Sequence, residues 1–286
     1  MAQTSPIIPD SPTPEKLASN TGDIGKAQRI LAVIPARLAS TRLPRKVLRS
    51  IAGQPMLAWV YQAASACPQL DGVVIATDSN EVAHLCRQHN WPFRLTSPDL
   101  PSGSDRVQAI AQEIPAEIYV NIQGDEPLLQ PAHISALLQP FRQPDVQVST
   151  LRTPCTPENI HNPNAVKVVT APDGRALYFS RAPIPFHRDP DHTHSQFWKH
   201  IGLYAYTAEA LRRFTVLPPS PLEQTERLEQ LRFLENNIPV HVATTSIDTV
   251  GVDTEDDLRI VEAILLKLPP FGLPLIGRAC PKPHQT

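Results

Sequence analysis

Long apolar runs are missing from this 286-residue chain. None approaches the roughly 20 residues needed to span a bilayer, and no apolar core follows a charged start, so neither a membrane helix nor a signal peptide is expected. Cysteine is scarce. Cys67, Cys86, Cys155 and Cys280 are scattered with no CxxC pair, which argues against a disulfide framework or a zinc site and for free thiols in a reducing cytoplasm. A formal net charge of −2 leaves no global basic field for nucleic acid or an acidic membrane. Neither glycine-rich phosphate motif is present, G-x-G-x-x-G or GxxxxGK[ST], and there is no internal repeat. What remains, 41% hydrophobic and 19% charged residues, is the composition of an ordinary globular protein.

Proline, by contrast, is abundant, with 32 residues, several of them at the two ends. Residues 1–27 are polar and without sustained periodicity and read as a disordered arm. In residues 268–286 repeated Pro and Gly exclude a helix. A single domain is expected over 28–267. Within it, buried strand patterns at 30–34, 72–77 and 118–124 alternate with helical patterns at 56–66, 80–89 and 131–139. This βαβαβ order predicts an α/β fold, a parallel sheet with helices on both faces, and ligands beyond the carboxyl ends of its strands. The middle differs. Residues 165–181 form two β-rich runs around Asp173-Gly174, a hairpin signal, and 200–207 adds a strand, so 145–205 reads as a partly antiparallel, strand-rich insertion. An amphipathic helix over 222–236, a strand at 240–245 and a helix over 254–266 complete the pattern.

Four stretches carry candidate chemistry. "IPARLASTRLPRK" (34–46) follows the first strand and holds Arg37, Arg42, Arg45 and Lys46 with no carboxylate. Guanidinium forks and an ammonium can hold a triphosphate, and a solvated basic loop is the other reading. "NIQGDEP" (121–127) puts Asp125 at the ligand edge of the sheet, as a hard oxygen donor for Mg²⁺ or as part of a turn before the next helix. "GVDTEDD" (251–257) offers Asp253 as a second metal ligand or Thr254 as a helix cap. "SGSDR" (102–106) opens a helix, either as a ligand contact or as a simple cap. The histidines of 186–200 (His187, His192, His194, His200) match no zinc spacing, and Arg188 in the same loop suits an anionic substrate.

In their order, these blocks, with "NPNAVKVV" (162–169), "LYFSRAPIP" (177–185), "HIGLYAY" (200–206) and "PLEQTERLEQLRFLE" (221–235), resemble the 3-deoxy-manno-octulosonate (Kdo) cytidylyltransferases over roughly residues 30–263. The resemblance implies a Rossmann-like nucleotidyltransferase fold and transfer of CMP from CTP to Kdo, giving CMP-Kdo and pyrophosphate. It further implies Mg²⁺ as cofactor, a homodimer with 145–205 as its interface, and a place in lipopolysaccharide biosynthesis. By matching position, Arg37 and Lys46 contact the CTP phosphates, and Ser102, Gly103 and Arg106 lie on the cytidine side. Asp125 and Asp253 ligate the metal, while Arg42, Gln123, Arg188, His200, Tyr204, Glu229 and Gln230 surround the sugar acid. A cytidylyltransferase for another acidic sugar, such as a sialic acid, would share the cationic loop and the acids but lack "NPNAVKVV" and "HIGLYAY". A non-catalytic nucleotide-binding protein on this fold would be expected to lose Asp125 or Asp253. The chain departs from the family at two places. Arg45 stands where the family has glycine, a position that suggests φ > 0 or a close backbone approach, and Ser104 stands where threonine is common.

Overall fold

A computed structural model describes residues 28–38, 43–188 and 196–267. The arm, the 268–286 tail, Arg42, His192 and His194 lie outside the described residues.

The first strand, β1 (Gln28–Pro35), owes its unbroken apolar run to coverage on both faces. Ala32 and Ile34 enter one hydrophobic core and Leu31 and Val33 the other. A short hairpin, β2 (Ser50–Ile51) and β3 (Gln54–Pro55), leads into α1 (Met56–Ser65). β4 (Gly72–Thr77) alternates in the same way, with Val73 and Ile75 against Val74 and Ala76. It is followed by α2 (Asn80–Gln88), β5 (Phe93–Leu95), α3 (Gly103–Glu113), β6 (Ala116–Asn121) and α4 (Pro131–Leu138). β1 pairs in parallel with both β4 and β6, and β4 with β5, which is the expected doubly wound half.

The second half continues the same sheet. β7 (Val148–Pro154), the short helix α5 (Pro157–Ile160), β8 (Lys167–Thr170), β9 (Ala176–Ser180) and β10 (Trp198–Thr207) come first. α6 (Ala208–Val216), α7 (Pro221–Glu226), α8 (Leu231–Glu235), β11 (His241–Thr244) and α9 (Glu255–Leu265) follow. The main sheet runs β11-β7-β10-β6-β1-β4-β5, with β8 and β9 attached beside β10. β10 is antiparallel to β6, β7 and β8, whereas β11 is parallel to β7. The hairpin around Asp173-Gly174 forms as expected, with Gly174 at φ 86. Strands from 145–205 are thus built into the sheet, with β10 paired directly to β6.

Two expectations are corrected. The strand expected to reach residue 124 ends at Asn121, releasing Ile122–Gly124 to the site. The single helix expected over 222–236 is two, because Arg227 turns left-handed (φ 54, ψ 47) after α7 and α8 resumes only at Leu231. The leucine spacing persists through the break, so periodicity alone reads straight across it.

A third apolar cluster joins parts of the chain that are distant in sequence. Leu43, Ile51, Met56, Leu128, Val252, Leu258 and Val261 pack together, drawing the cationic loop, the loop after β6 and the start of α9 to one end of the sheet.

Candidate active site

Three loops meet beyond the carboxyl ends of β1 and β6. Gly124 makes the meeting possible, since a Cβ there would lie 2.9 Å from the Pro35 carbonyl oxygen at the end of β1. The Val252 amide donates to the Asp125 carbonyl at 2.9 Å, tying the loop before α9 to the loop after β6. Thr254 caps α9, accepting from the Asp257 amide while Asp257 accepts from Thr254, and the Asp253 amide also donates to Asp257. The backbone around each acid is therefore fixed by these bonds.

Those carboxylates converge on one ammonium. Lys46 Nζ donates to Asp125 Oδ2 and, at 2.9 Å, to Asp253 Oδ1. Burial alone would lower the pKa of Lys46. The two carboxylates outweigh it and hold the pKa above its ordinary value. Two carboxylates close enough to share one cation present the hard oxygen pair that a divalent ion bridging to a phosphate requires, so Asp125 and Asp253 fit Mg²⁺. Arg45 begins the short 3-10 turn Lys46–Leu48 in a left-handed conformation (φ 58, ψ 31), the geometry expected where the family has glycine. Its guanidinium pairs with Glu81 on the exposed surface.

Beside the acids opens a cleft of about 780 Å³, lined by Gln123, Asp125, His200, Tyr204, Glu229, Gln230 and Asp253 among others. Seven of the candidate residues thus share one cavity. Part of its wall, His200, Tyr204 and Tyr206, is polar and held neutral. Burial depresses the His200 pKa to about 3, pushes Tyr204 well up and also raises Tyr206. His200 Nε2 lies 2.9 Å from Thr150 Oγ1 and 3.0 Å from the Tyr204 hydroxyl. Glu229, whose pKa is also raised by burial, accepts from Ser104 Oγ at 3.0 Å. Ser104, the second departure, thereby links the start of α3 to the cleft wall. Gln230, on the same lining, has its Nε2 buried without a hydrogen-bond partner among the described residues.

Residues 31–247 match the family model described as cytidylyltransferase. A 3-deoxy-manno-octulosonate cytidylyltransferase of Acidobacterium capsulatum is 63% identical over 238 residues, spanning 83% of this chain and 97% of the relative. Another, of Koribacter versatilis, is 55% identical over 237 residues, spanning 83% and 90%. The solved structure of CMP:2-keto-3-deoxy-manno-octonic acid synthetase complexed with CTP aligns with a TM-score of 0.80 at 37% identity, covering 83% of this chain and 98% of that one. The chain belongs to the 3-deoxy-manno-octulosonate cytidylyltransferase family.

The other candidates in this cytidylyltransferase fall into three positions. Arg37, Ser102 and Gly103 gather at the N-terminus of α3, where Arg37 Nη2 donates to the Pro101 carbonyl at 3.4 Å and Ser102 is the helix cap. Arg106 points elsewhere. It is fully buried and donates to Asp78 at 2.6 Å and to Thr96, so its guanidinium anchors the loop after β4 from within. Arg188 is exposed at the edge of the described residues and does not line the cleft, and Arg42 lies outside them.

Sequence reasoning did not single out several cleft residues of this cytidylyltransferase. Lys199 pairs with Asp248 at 2.9 Å, and Arg181 ties the Pro163 and Glu226 carbonyls together. Glu126, beside Asp125, accepts from Thr249 and has its pKa pushed up to about 7 by burial and then by the neighbouring carboxylate. Its place in "GDEP" was the available signal. Thr150, which touches His200 from the neighbouring strand, is a plain strand residue in sequence and gave none.

Proposed function

We propose that this protein transfers CMP from CTP to 3-deoxy-manno-octulosonate, releasing pyrophosphate. The observation that carries the reading is the convergence of Asp125 and Asp253 on Lys46 beside a cleft that those two acids share with His200, Tyr204 and Tyr206, in a chain of this family. Phosphoryl-group transfer of this kind depends chiefly on positioning and charge neutralisation. Arg37 and Lys46 bind the triphosphate, with Lys46 leaving its acid pair to meet phosphate oxygen. Ser102 and Gly103 present the amides of an 11-residue helix to the nucleotide. Gln123, His200, Tyr204, Glu229 and Gln230 orient the sugar acid so that its anomeric hydroxyl lies in line with the α-phosphorus. Asp125 and Asp253 hold Mg²⁺, which when bound neutralises phosphate charge and lowers the pKa of the attacking hydroxyl.

The product would feed lipopolysaccharide synthesis in the cytoplasm, a setting consistent with the free, buried Cys67, Cys86 and Cys155. A homodimer through the 145–205 segment is supported by two apolar side chains exposed there, Leu177 at 62% and Phe186 at 86%. Sedimentation of the wild type against a Leu177→Glu, Phe186→Glu variant tests it, and two monodisperse species of equal mass would refute it. The function is tested by pyrophosphate release with CTP, Mg²⁺ and a panel of sugar acids. Kdo is expected to turn over fastest, and faster turnover of a sialic acid would reassign the substrate.

A further inference from the structure

β10 breaks register where it crosses the cleft. Ile201 pairs with Leu151, yet the next pair is Tyr204 with Thr150. Two residues of β10, Gly202 and Leu203, therefore have no opposite number on β7, an enlarged form of β-bulge. Because the insertion is even, facing is preserved. Ile201, Leu203 and Ala205 stay in one core, while His200 and Tyr204 both line the cleft.

The Thr150 side chain sits inside this bulge. Its hydroxyl donates towards the Leu203 carbonyl at 2.9 Å and the Ile201 carbonyl at 3.2 Å, and His200 Nε2 lies 2.9 Å away. A hydroxyl has one proton and two lone pairs. Carbonyl oxygens only accept, so the proton goes to the backbone and the oxygen faces His200 as an acceptor. The contact with Nε2 is attractive only if Nε2 carries a hydrogen. A bare Nε2 would set lone pair against lone pair.

We propose that Thr150 is a positioning residue, which pins the β10 bulge and fixes His200 as the Nε2–H tautomer. The Tyr204 oxygen, 3.0 Å from the same nitrogen, is then a second acceptor for that hydrogen. Its own proton is within reach of Thr150 Oγ1, whose second lone pair accepts it, and His200 Nδ1 is left as an acceptor. On the functional reading above, on which only this last step rests, a fixed acceptor is thereby presented to the hydroxyls of the sugar acid.

The tautomer is testable without substrate, by long-range ¹H–¹⁵N correlation on protein labelled at histidine nitrogens. His200 of the free wild type is expected as Nε2–H. In Thr150→Val, Tyr204 is released to donate to a bare Nε2, and the signal should move to the Nδ1–H pattern. The KM for Kdo should rise about threefold to tenfold, the range for losing one neutral hydrogen-bonding arrangement, with the KM for CTP nearly unmoved. Thr150→Ser, which keeps the hydroxyl, should restore both the tautomer and the KM. An Nδ1–H signal in the wild type would overturn the proposal directly, and so would a Thr150→Val variant keeping the wild-type tautomer and KM. Equal rises in both KM values without rescue by serine would mark Thr150 as a mere fold contact and overturn it too. A wild type that shows Nε2–H but does not turn over Kdo would instead count against the functional reading, leaving the tautomer assignment standing.

Discussion

The two sides of the cleft solve opposite problems. On the nucleotide side, charges are formal, close to water and paired with one another. Lys46 with Asp125 and Asp253, Arg45 with Glu81, and Arg49 with Glu255 are all partly or largely exposed. Such pairs hold little energy against solvent and are readily exchanged for a new partner. On the sugar side, His200, Tyr204 and Tyr206 are buried and held in their neutral forms, so they give direction without charge. The contrast teaches that, on the proposed function, this site would meet a polyanion with replaceable ion pairs and a polyol with fixed dipoles. The first must let go to bind, and the second must not move.

The largest test of the contrast is to neutralise the exchangeable acids. Asp125→Asn and Asp253→Asn should each cut turnover by about 100-fold or more, the order of losing one well-placed electrostatic group, while the melting temperature stays near that of the wild type. Near-normal turnover at limiting Mg²⁺ would remove that residue from the metal site. A change of comparable energy but opposite kind is expected at Arg106, where the charge is buried and not replaceable. Arg106→Met strands the Asp78 carboxylate and should destabilise the fold by about 3 kcal/mol, read by calorimetry. An unchanged melting temperature would place Arg106 with the exchangeable cations after all.

The neutral wall has a pH signature. Its His200 titrates near 3 in the folded chain against an ordinary 6.5, so between those values the unfolded chain binds the proton first. Stability is fully present above pH 6.5 and falls towards pH 3, with a slope of up to about 1.4 kcal/mol per pH unit from this group. His200→Gln should flatten that limb in denaturant titrations. Glu126, raised from 4.5 to about 7, acts with the opposite sign, favouring the fold as pH drops through that window, so Glu126→Gln should steepen the acid loss. An acid limb unchanged by His200→Gln would mean that the imidazole is not held neutral. The smallest effect is expected at Arg45→Gly. Relief of the left-handed backbone at φ 58 should gain about 1 kcal/mol, against an exposed pair worth less. If Arg45 also reaches the triphosphate, the KM for CTP rises severalfold while the KM for Kdo does not. An unchanged or lower KM for CTP would leave Arg45 a surface residue only.

Much of this arrangement was legible in the sequence, for identifiable reasons. The parallel half announces itself because each strand is buried on two faces and reads as a continuous apolar run. The hairpin at Asp173-Gly174 declares itself through turn chemistry. Asp125 was recognisable as an acid just after a strand and Asp253 as an acid just before a helix. Their approach was not, because it depends on the packing of Leu43, Leu128, Val252 and Leu258, contacts without local periodicity. The break at Arg227 was hidden by leucines that keep helical spacing across it. Arg106 looked like a ligand because nothing in "SGSDR" shows that the residue faces Asp78. Thr150 was invisible, since its importance comes from a register shift in the neighbouring strand.

The contact between Gly124 and the Pro35 carbonyl has a consequence for anyone who would rebuild this site. With a would-be Cβ only 2.9 Å from that oxygen, the loop bearing Asp125 is seated on the root of the loop bearing the cations, with no clearance for a side chain. The two behave as a single fitted part. A loop borrowed from a relative would carry its own seating with it, and exchange of one without the other should misalign the acids and the lysine by the width of a methyl group. Catalytic spacing in this chain is set by an atom that is not there.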